Sequence, residues 1–251
     1  MLFFVFLLPL TICTKRYLLL YNTMETKEFF KNLKHKVKPF YVRITVPIVR
    51  FIDGIHDICL CGSVLTREHL VNVEGATAYG PSWYWALNEM FKDAKFTEED
   101  CFVDVGCGKG RVLAWLINKH FPGHITGIEK DPDVAAIARK WMERRPNEKT
   151  KLIEGDAMEQ SYKDYTIIYI FRPFNEEFFE RLILRIESQL THPILFYYLT
   201  DYYSRKYLTN RPGWKMIERR PFWKKYGLFV YPAPQFYSIW SYTPALYGEK
   251  E

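Results

Sequence analysis

Asp104-Val105-Gly106-Cys107-Gly108-Lys109-Gly110 brings together residue types whose spacing suits ligand chemistry. Three glycines at alternate positions let the backbone take positive φ and let a ligand approach with no Cβ in the way. Dinucleotide binders require G-x-G-x-x-G; with Gly106 and Gly108 as the first pair, the third glycine falls at position 111, which is Arg111. The third glycine here is Gly110, and an acid stands two residues before the first, so an NAD-dependent oxidoreductase is disfavoured. No metal centre is expected. Cys59 and Cys61 are only two apart, no second pair answers them, and His56 beside them does not complete a zinc set. No histidine stands at a motif position for acid–base work; His120 and His124 flank a helix-to-strand turn at the far end of the sheet.

Such a loop works only if a strand delivers it and a helix leaves from it. CFVDV is a short β-rich run, and Val112, Leu113, Leu116 and Ile117 share one helical face after the turn. HITGIE reads as a second strand, after which Asp131-Pro132 caps and starts a helix with Val134, Ile137, Ala138 and Trp141 on one side. TKLIEGD and YTIIYIF are third and fourth strands, Phe178, Leu182 and Ile186 mark another helix, and PILFYYL is a fifth strand. Strands separated by helices imply right-handed crossovers and a parallel sheet covered on both faces. Later come GWKMIERR, KKYGLFVY and QFYSIWSY, two of which form an antiparallel edge hairpin; which earlier segment pairs with QFYSIWSY stays open. The expected fold is α/β: a Rossmann-like open twisted sheet, mostly parallel, with helices on both faces and an N-terminal helical extension.

FVDVGCGKGRVL resembles the first motif of the class I S-adenosylmethionine-dependent methyltransferases, in the form carried by a group of small members of that superfamily. The resemblance covers roughly residues 75–245 and implies S-adenosyl-L-methionine as cofactor and methyl transfer by direct displacement to an unidentified acceptor. It implies that Gly106, Cys107, Gly108 and Gly110 cradle the cofactor and that Asp104 serves its methionine end. Glu129, ending the second strand, would accept the two ribose hydroxyls; Asp156 would receive the adenine amino group, with Ala157 and Met158 along the ring. Tyr79, Ser82 and Tyr84 lie in a stretch that folds over the cofactor in related enzymes; the alternative reading is that Trp83 and Trp85 anchor that stretch to the sheet. Phe171-Arg172-Pro173-Phe174 looks like the N-P-P-Y signature of amino-group methyltransferases, with Arg172 in place of asparagine. Arginine offers no acceptor lone pair, so an anionic acceptor near Arg172 gains ground over a nucleobase amine. Arg172, Phe174, Tyr197 and Tyr198 are the acceptor-side candidates.

The chain has 251 residues, 48% of them apolar, which is enough for one sizeable domain. We divide it into residues 1–23, an apolar leader or non-native extension; 24–75, a basic helical accessory segment; and 76–251, the methyltransferase domain. MLFFVFLLPLTIC is shorter than a membrane span, and Lys15 and Arg16 follow it rather than precede it, so a cleaved signal is the least favoured reading. From Met24 a helix is expected, stopped by Pro39, with residues 40–75 mixed and Ser82 capping the next helix. An odd set of cysteines indicates reduced thiols and a cytoplasmic domain. Residues 15–50 hold nine Lys or Arg against two Glu, and residues 205–225 hold eight against one, so a net charge of +6 hides an acidic body with two basic regions. Those regions suit an anionic membrane surface or substrate and do not favour a nucleic-acid partner; the acceptor is expected to be a small molecule, protein or lipid. A non-catalytic cofactor-binding or membrane-associated protein is the alternative.

Overall fold

The computed structural model describes residues 24–66, 80–171, 175–202, 204–222, 224–225, 228–229 and 235–245. Helix α1 spans Met24–Cys61 and α2 Tyr84–Met90; then β1 (Cys101–Val105), α3 (Arg111–Asn118), β2 (His124–Glu129), α4 (Pro132–Arg144) and β3 (Thr150–Glu154) alternate. They are followed by β4 (Ile167–Phe171), α5 (Glu176–Gln189), β5 (Ile194–Leu199), a 3-10 turn at Arg205–Tyr207, β6 (Trp214–Phe222), β7 (Lys224–Lys225), β8 (Leu228–Phe229) and β9 (Gln235–Tyr242).

Seven strands form one sheet in the order β3-β2-β1-β4-β5-β9-β6. The first five are parallel, and β9 enters antiparallel between β5 and β6. This is the expected Rossmann-like architecture, and it settles the edge pairing. QFYSIWSY pairs with WKMIERRPF, while β7 and β8 form a separate two-stranded ribbon carried by the connection. A register shift between Met216 and Glu218 leaves Ile217 as the extra residue. Strand order reverses between β1 and β4, which puts the loop after β1 at the switch point where open α/β sheets bind ligands.

Both faces of the sheet are covered. Leu87, Phe91, Leu113, Leu116 and Trp141 from α2, α3, α4 and their flanks pack on Phe102, Tyr169 and Tyr197, while Phe179, Leu182 and Ile186 of α5 pack on Val103, Ile168 and Phe196 opposite. β4 reads IIYIF because both its faces are buried. Helix starts follow local chemistry: Asp131 accepts from the N–H groups of Asp133 and Val134 with Pro132 at the first helical position, and Asn175 accepts from Phe178 N–H.

Two expectations need correction. Pro39 does not end the first helix: α1 runs for 38 residues through Pro39, Pro47 and Gly54, to Gly62, whose φ of 67° turns the chain away. A proline inside a helix costs one backbone hydrogen bond, and the helix continues past it. Arg144 and Arg145, at the end of α4, donate to carbonyls of Cys59, Leu60 and Cys61 and so cap the C-terminus of α1. Ser82 does not cap α2. Trp83 occupies that position without a side-chain bond, and Ser82 Oγ instead meets Tyr169 Oη at 2.8 Å. Of the described residues, Cys59, Cys61, Cys101 and Cys107 are free thiols.

Candidate functional site

Gly106, Gly108 and Gly110 have φ of 74°, 57° and 77°, the left-handed region that L side chains avoid. The loop is fastened to β2: Gly106 and Cys107 N–H both donate to Ile128 O at 2.9 Å, and Gly108 N–H donates to Glu129 Oε2 at 2.7 Å. Glu129 Oε1 accepts from Asp131 N–H at 2.9 Å, so this carboxylate ties the glycine loop to the start of α4. Beneath the loop, Trp141 Nε1 donates to Lys109 O at 2.9 Å, and a Cβ on Gly110 would sit 3.0 Å from Trp141 Cζ2. Gly127 on β2 makes room for Cys107: a Cβ there would come within 2.7 Å of its sulfur.

The electrostatics at this point are dominated by paired acids. Burial pushes the Asp104 carboxyl well up from its ordinary value, and Glu129 pushes it further. Burial likewise raises Glu129, against the pull of the Asp131 and Gly108 N–H groups. The Cys107 thiol, buried beside both acids, is raised well above the usual range and is chemically quiet. Two buried carboxyls at the mouth of a glycine loop disfavour an anionic ligand and are relieved by a cationic one. At the end of β3, burial works against the charge of Asp156, yet the Lys130 ammonium at 2.7 Å and Met158 N–H at 2.8 Å bring its carboxyl below the ordinary value.

The sequence-based candidates thus divide. Asp104, Gly106, Cys107, Gly108, Gly110, Glu129, Asp156 and Ala157 gather at the C-terminal ends of β1, β2 and β3. Tyr197 does not join them: it is 3% exposed on β5, with its ring 4.5 Å from that of Phe91, and burial pushes its hydroxyl up to about 12. Tyr198 stacks on Phe179 in the opposite core. Both rings pack the sheet. Tyr79, Arg172 and Phe174 lie outside the described residues.

The sequence reading missed the network directly behind the loop. Arg111, buried at the start of α3, donates from Nη2 to Asp57 Oδ2 at 2.7 Å and from Nη1 to Ser82 O at 3.1 Å, with Asp53 Oδ2 at 3.4 Å. Its guanidinium lies 4.9 Å from the Tyr84 ring centre, and Tyr84 Oη donates to Asp57 Oδ1 at 2.8 Å. Arg111 therefore binds α1 and α2 to the residue that follows the glycine loop. The available signal was Asp53 and Asp57 at an i, i+4 spacing in line with Val49 and Cys61, a pair of acids on an otherwise inward-facing row.

Residues 102–188 match the methyltransferase-domain family. No curated protein matches the sequence. Among solved structures, a methyltransferase from Pyrococcus furiosus superposes with a TM-score of 0.54 at 14% identity, covering 77% of this chain and 95% of that one. The mitomycin 7-O-methyltransferase MmcR gives 0.50 at 14% identity over 64% of this chain and 53% of its own. An RNA methyltransferase from Salinibacter ruber, solved with S-adenosyl-L-homocysteine, gives 0.45 at 20% identity over 66% of this chain and 94% of its own.

Proposed function

We propose that this chain, a class I S-adenosylmethionine-dependent methyltransferase by its domain and its fold, holds its cofactor across the C-terminal ends of β1, β2 and β3. The carrying observation is the run of three left-handed glycines bonded to Glu129 at the switch point of the sheet. Glu129 accepts backbone N–H groups, among them Gly108 on Oε2 and Asp131 on Oε1, and its remaining acceptor capacity serves the ribose hydroxyls. Asp104, held toward its neutral form by burial, ionises against the positive charge at the methionine end. Asp156, its carboxyl below the ordinary value, receives the adenine amino group with Ala157 beside it. When bound, S-adenosylmethionine supplies a methyl group already activated on a sulfonium. The protein's task is then alignment and exclusion of water, for which a rigid loop fixed on β2, Trp141 and Arg111 is suited.

The acceptor side is proposed to lie beyond the end of β4, with Arg172 favouring an anionic acceptor among small molecules, proteins or lipids. Much of the late basic segment is already neutralised, with Arg205 and Arg219 on Asp201, Lys206 on Glu176, Arg211 on Glu187 and Arg220 on Glu218, which argues against a nucleic-acid tract there.

Titration of the purified protein with S-adenosylhomocysteine by calorimetry tests the cofactor site. Glu129→Ala removes charge-assisted bonds of about 1.5–3 kcal/mol and weakens binding by about tenfold or more. Gly106→Arg abolishes it. Unchanged affinity in both variants overturns the assignment. Labelled S-adenosylmethionine incubated with fractionated lysate then locates the methyl acceptor.

A further inference from the structure

From Thr45 to Cys61 the two sides of α1 differ in kind. Thr45, Val49, Asp53, Asp57 and Cys61 face inward and are buried, and both acids of this stretch are consumed by Arg111 and Tyr84. On the other side Ile44, Ile48, Phe51, Ile55 and Ile58 follow each other in steps of four and three residues and are 45% to 71% exposed. Isolated exposed apolar residues are ordinary, but five in a row along one helix are a surface. In the sequence the same spacing continues upstream through Phe29, Leu33, Val37 and Phe40. The steps of four, four and three in the sequence repeat every eleven residues, close to the period of a straight helix. At about 1.5 Å per residue, 38 residues make a helix roughly 57 Å long.

We propose that this row docks α1 flat on an anionic lipid surface. Three observations select lipid over a second protein chain. The sequence of α1 holds Lys27, Lys31, Lys34, Lys36, Lys38 and Arg43 against Glu25 and Glu28, besides Asp53 and Asp57, which Arg111 and Tyr84 engage, a polarity that complements acidic headgroups. Only Ile44 to Ile58 follow heptad-like steps, about two heptads, short of the three or four that sustain a coiled coil. Among the described residues no helix is long and apolar enough to cross a membrane, so α1 lies on the surface instead of spanning it. Because its inner face is fixed to Arg111, docking holds the glycine loop at the bilayer as one body with α1. The docking does not depend on how the cofactor is held.

Flotation of the full chain with phosphatidylcholine vesicles, with and without phosphatidylglycerol, tests it. The expected result is association with the anionic vesicles alone, weakened by salt, and reduced about tenfold or more in Phe51→Ser/Ile55→Ser and in Ile44→Ser/Ile58→Ser. These side chains are exposed, and an unchanged melting temperature shows that each variant keeps its fold. The proposal is overturned by no association with anionic vesicles or by equal association of wild type and both stripe variants. It is equally overturned if association is lost when the chain starts at Met24 but kept in the stripe variants, which gives the role to the apolar leader. A dimer in solution that the stripe substitutions dissolve gives the face to a second copy and overturns it as well.

Discussion

Replacing Arg111 with methionine separates a structural role for this residue from any role in dinucleotide-like recognition. The guanidinium sits between Asp57 at 2.7 Å and Asp53 at 3.4 Å, and both carboxylates are fully buried. Removing one member of a buried ionic cluster leaves uncompensated charge and costs about 3–5 kcal/mol. Asp57 retains bonds from Tyr84 Oη and from Leu65 N–H, both at 2.8 Å, which places the expected loss near the lower end, about 3 kcal/mol. With a urea slope of about 2–3 kcal/mol/M for a domain of this size, the unfolding midpoint falls by about 1–1.5 M. Hydrogen exchange should show the loss first in the amides of residues 45–61, with β1 and β4 still protected, because the cluster joins α1 to the body and not the sheet to itself. The triple variant Arg111→Met/Asp53→Asn/Asp57→Asn removes the stranded charge as well and recovers most of the loss. A single variant within about 0.5 kcal/mol of wild type, or a triple variant no better than the single, refutes the reasoning.

The remaining predictions concern the loop and its acids. Gly110→Ala forces a side chain into φ of 77° and against the Trp141 ring, and lowers stability by about 1–2 kcal/mol with a parallel loss of S-adenosylhomocysteine affinity by calorimetry. Gly127→Ala drives a methyl group into Cys107 Sγ and Leu113 Cδ2 and costs about 1–3 kcal/mol in thermal unfolding, part of which Cys107→Ala restores. Asp104 and Glu129 both have folded-state values raised above their ordinary 3.8 and 4.5, so the native protein holds protons that the unfolded chain releases. Stability without ligand therefore falls as pH rises from the ordinary carboxylate range through the folded values. The ionised Asp104 carboxylate favours the ammonium at the methionine end, so affinity for S-adenosylhomocysteine rises with pH across the same window and this rise flattens in Asp104→Asn. The same pH dependence of affinity in wild type and Asp104→Asn counts against Asp104 at the methionine end.

How much of this was legible in advance follows from the range of each interaction. The loop, its strand and its helix are encoded in one continuous stretch, Cys101 to Asn118. Glycine spacing, the β-rich CFVDV and the periodic VLAWLI after it each report local geometry, and all of them stand where the sequence placed them. The same holds for Asp131, whose capping role depends only on the two N–H groups that follow it. Pro39 misled because a lost backbone hydrogen bond was taken as a helix end, whereas the backbone continues as helix through it to Cys61. Tyr197 shows a related limit of local reading. An aromatic at the end of a parallel strand reads the same whether it lines a pocket or fills the core, and only the position of Phe91 decides between them.

By itself, then, the sequence determined the α/β alternation, the order of the central elements and the glycine loop with its acids at successive strand ends. All of these rest on contacts between near neighbours or on period and composition. The tertiary structure alone decided that Glu129 bonds the loop before any ligand reaches it, that β6 and not the intervening segment pairs with β9, and that Arg111 secures α1. It also decided which side of α1 is buried, and so left a row of isoleucines and a phenylalanine facing outward. A helical pattern with apolar residues on two sides does not say which side the body takes. That choice belongs to Asp53 and Asp57, whose charge is stable in the interior only where Arg111 waits for it.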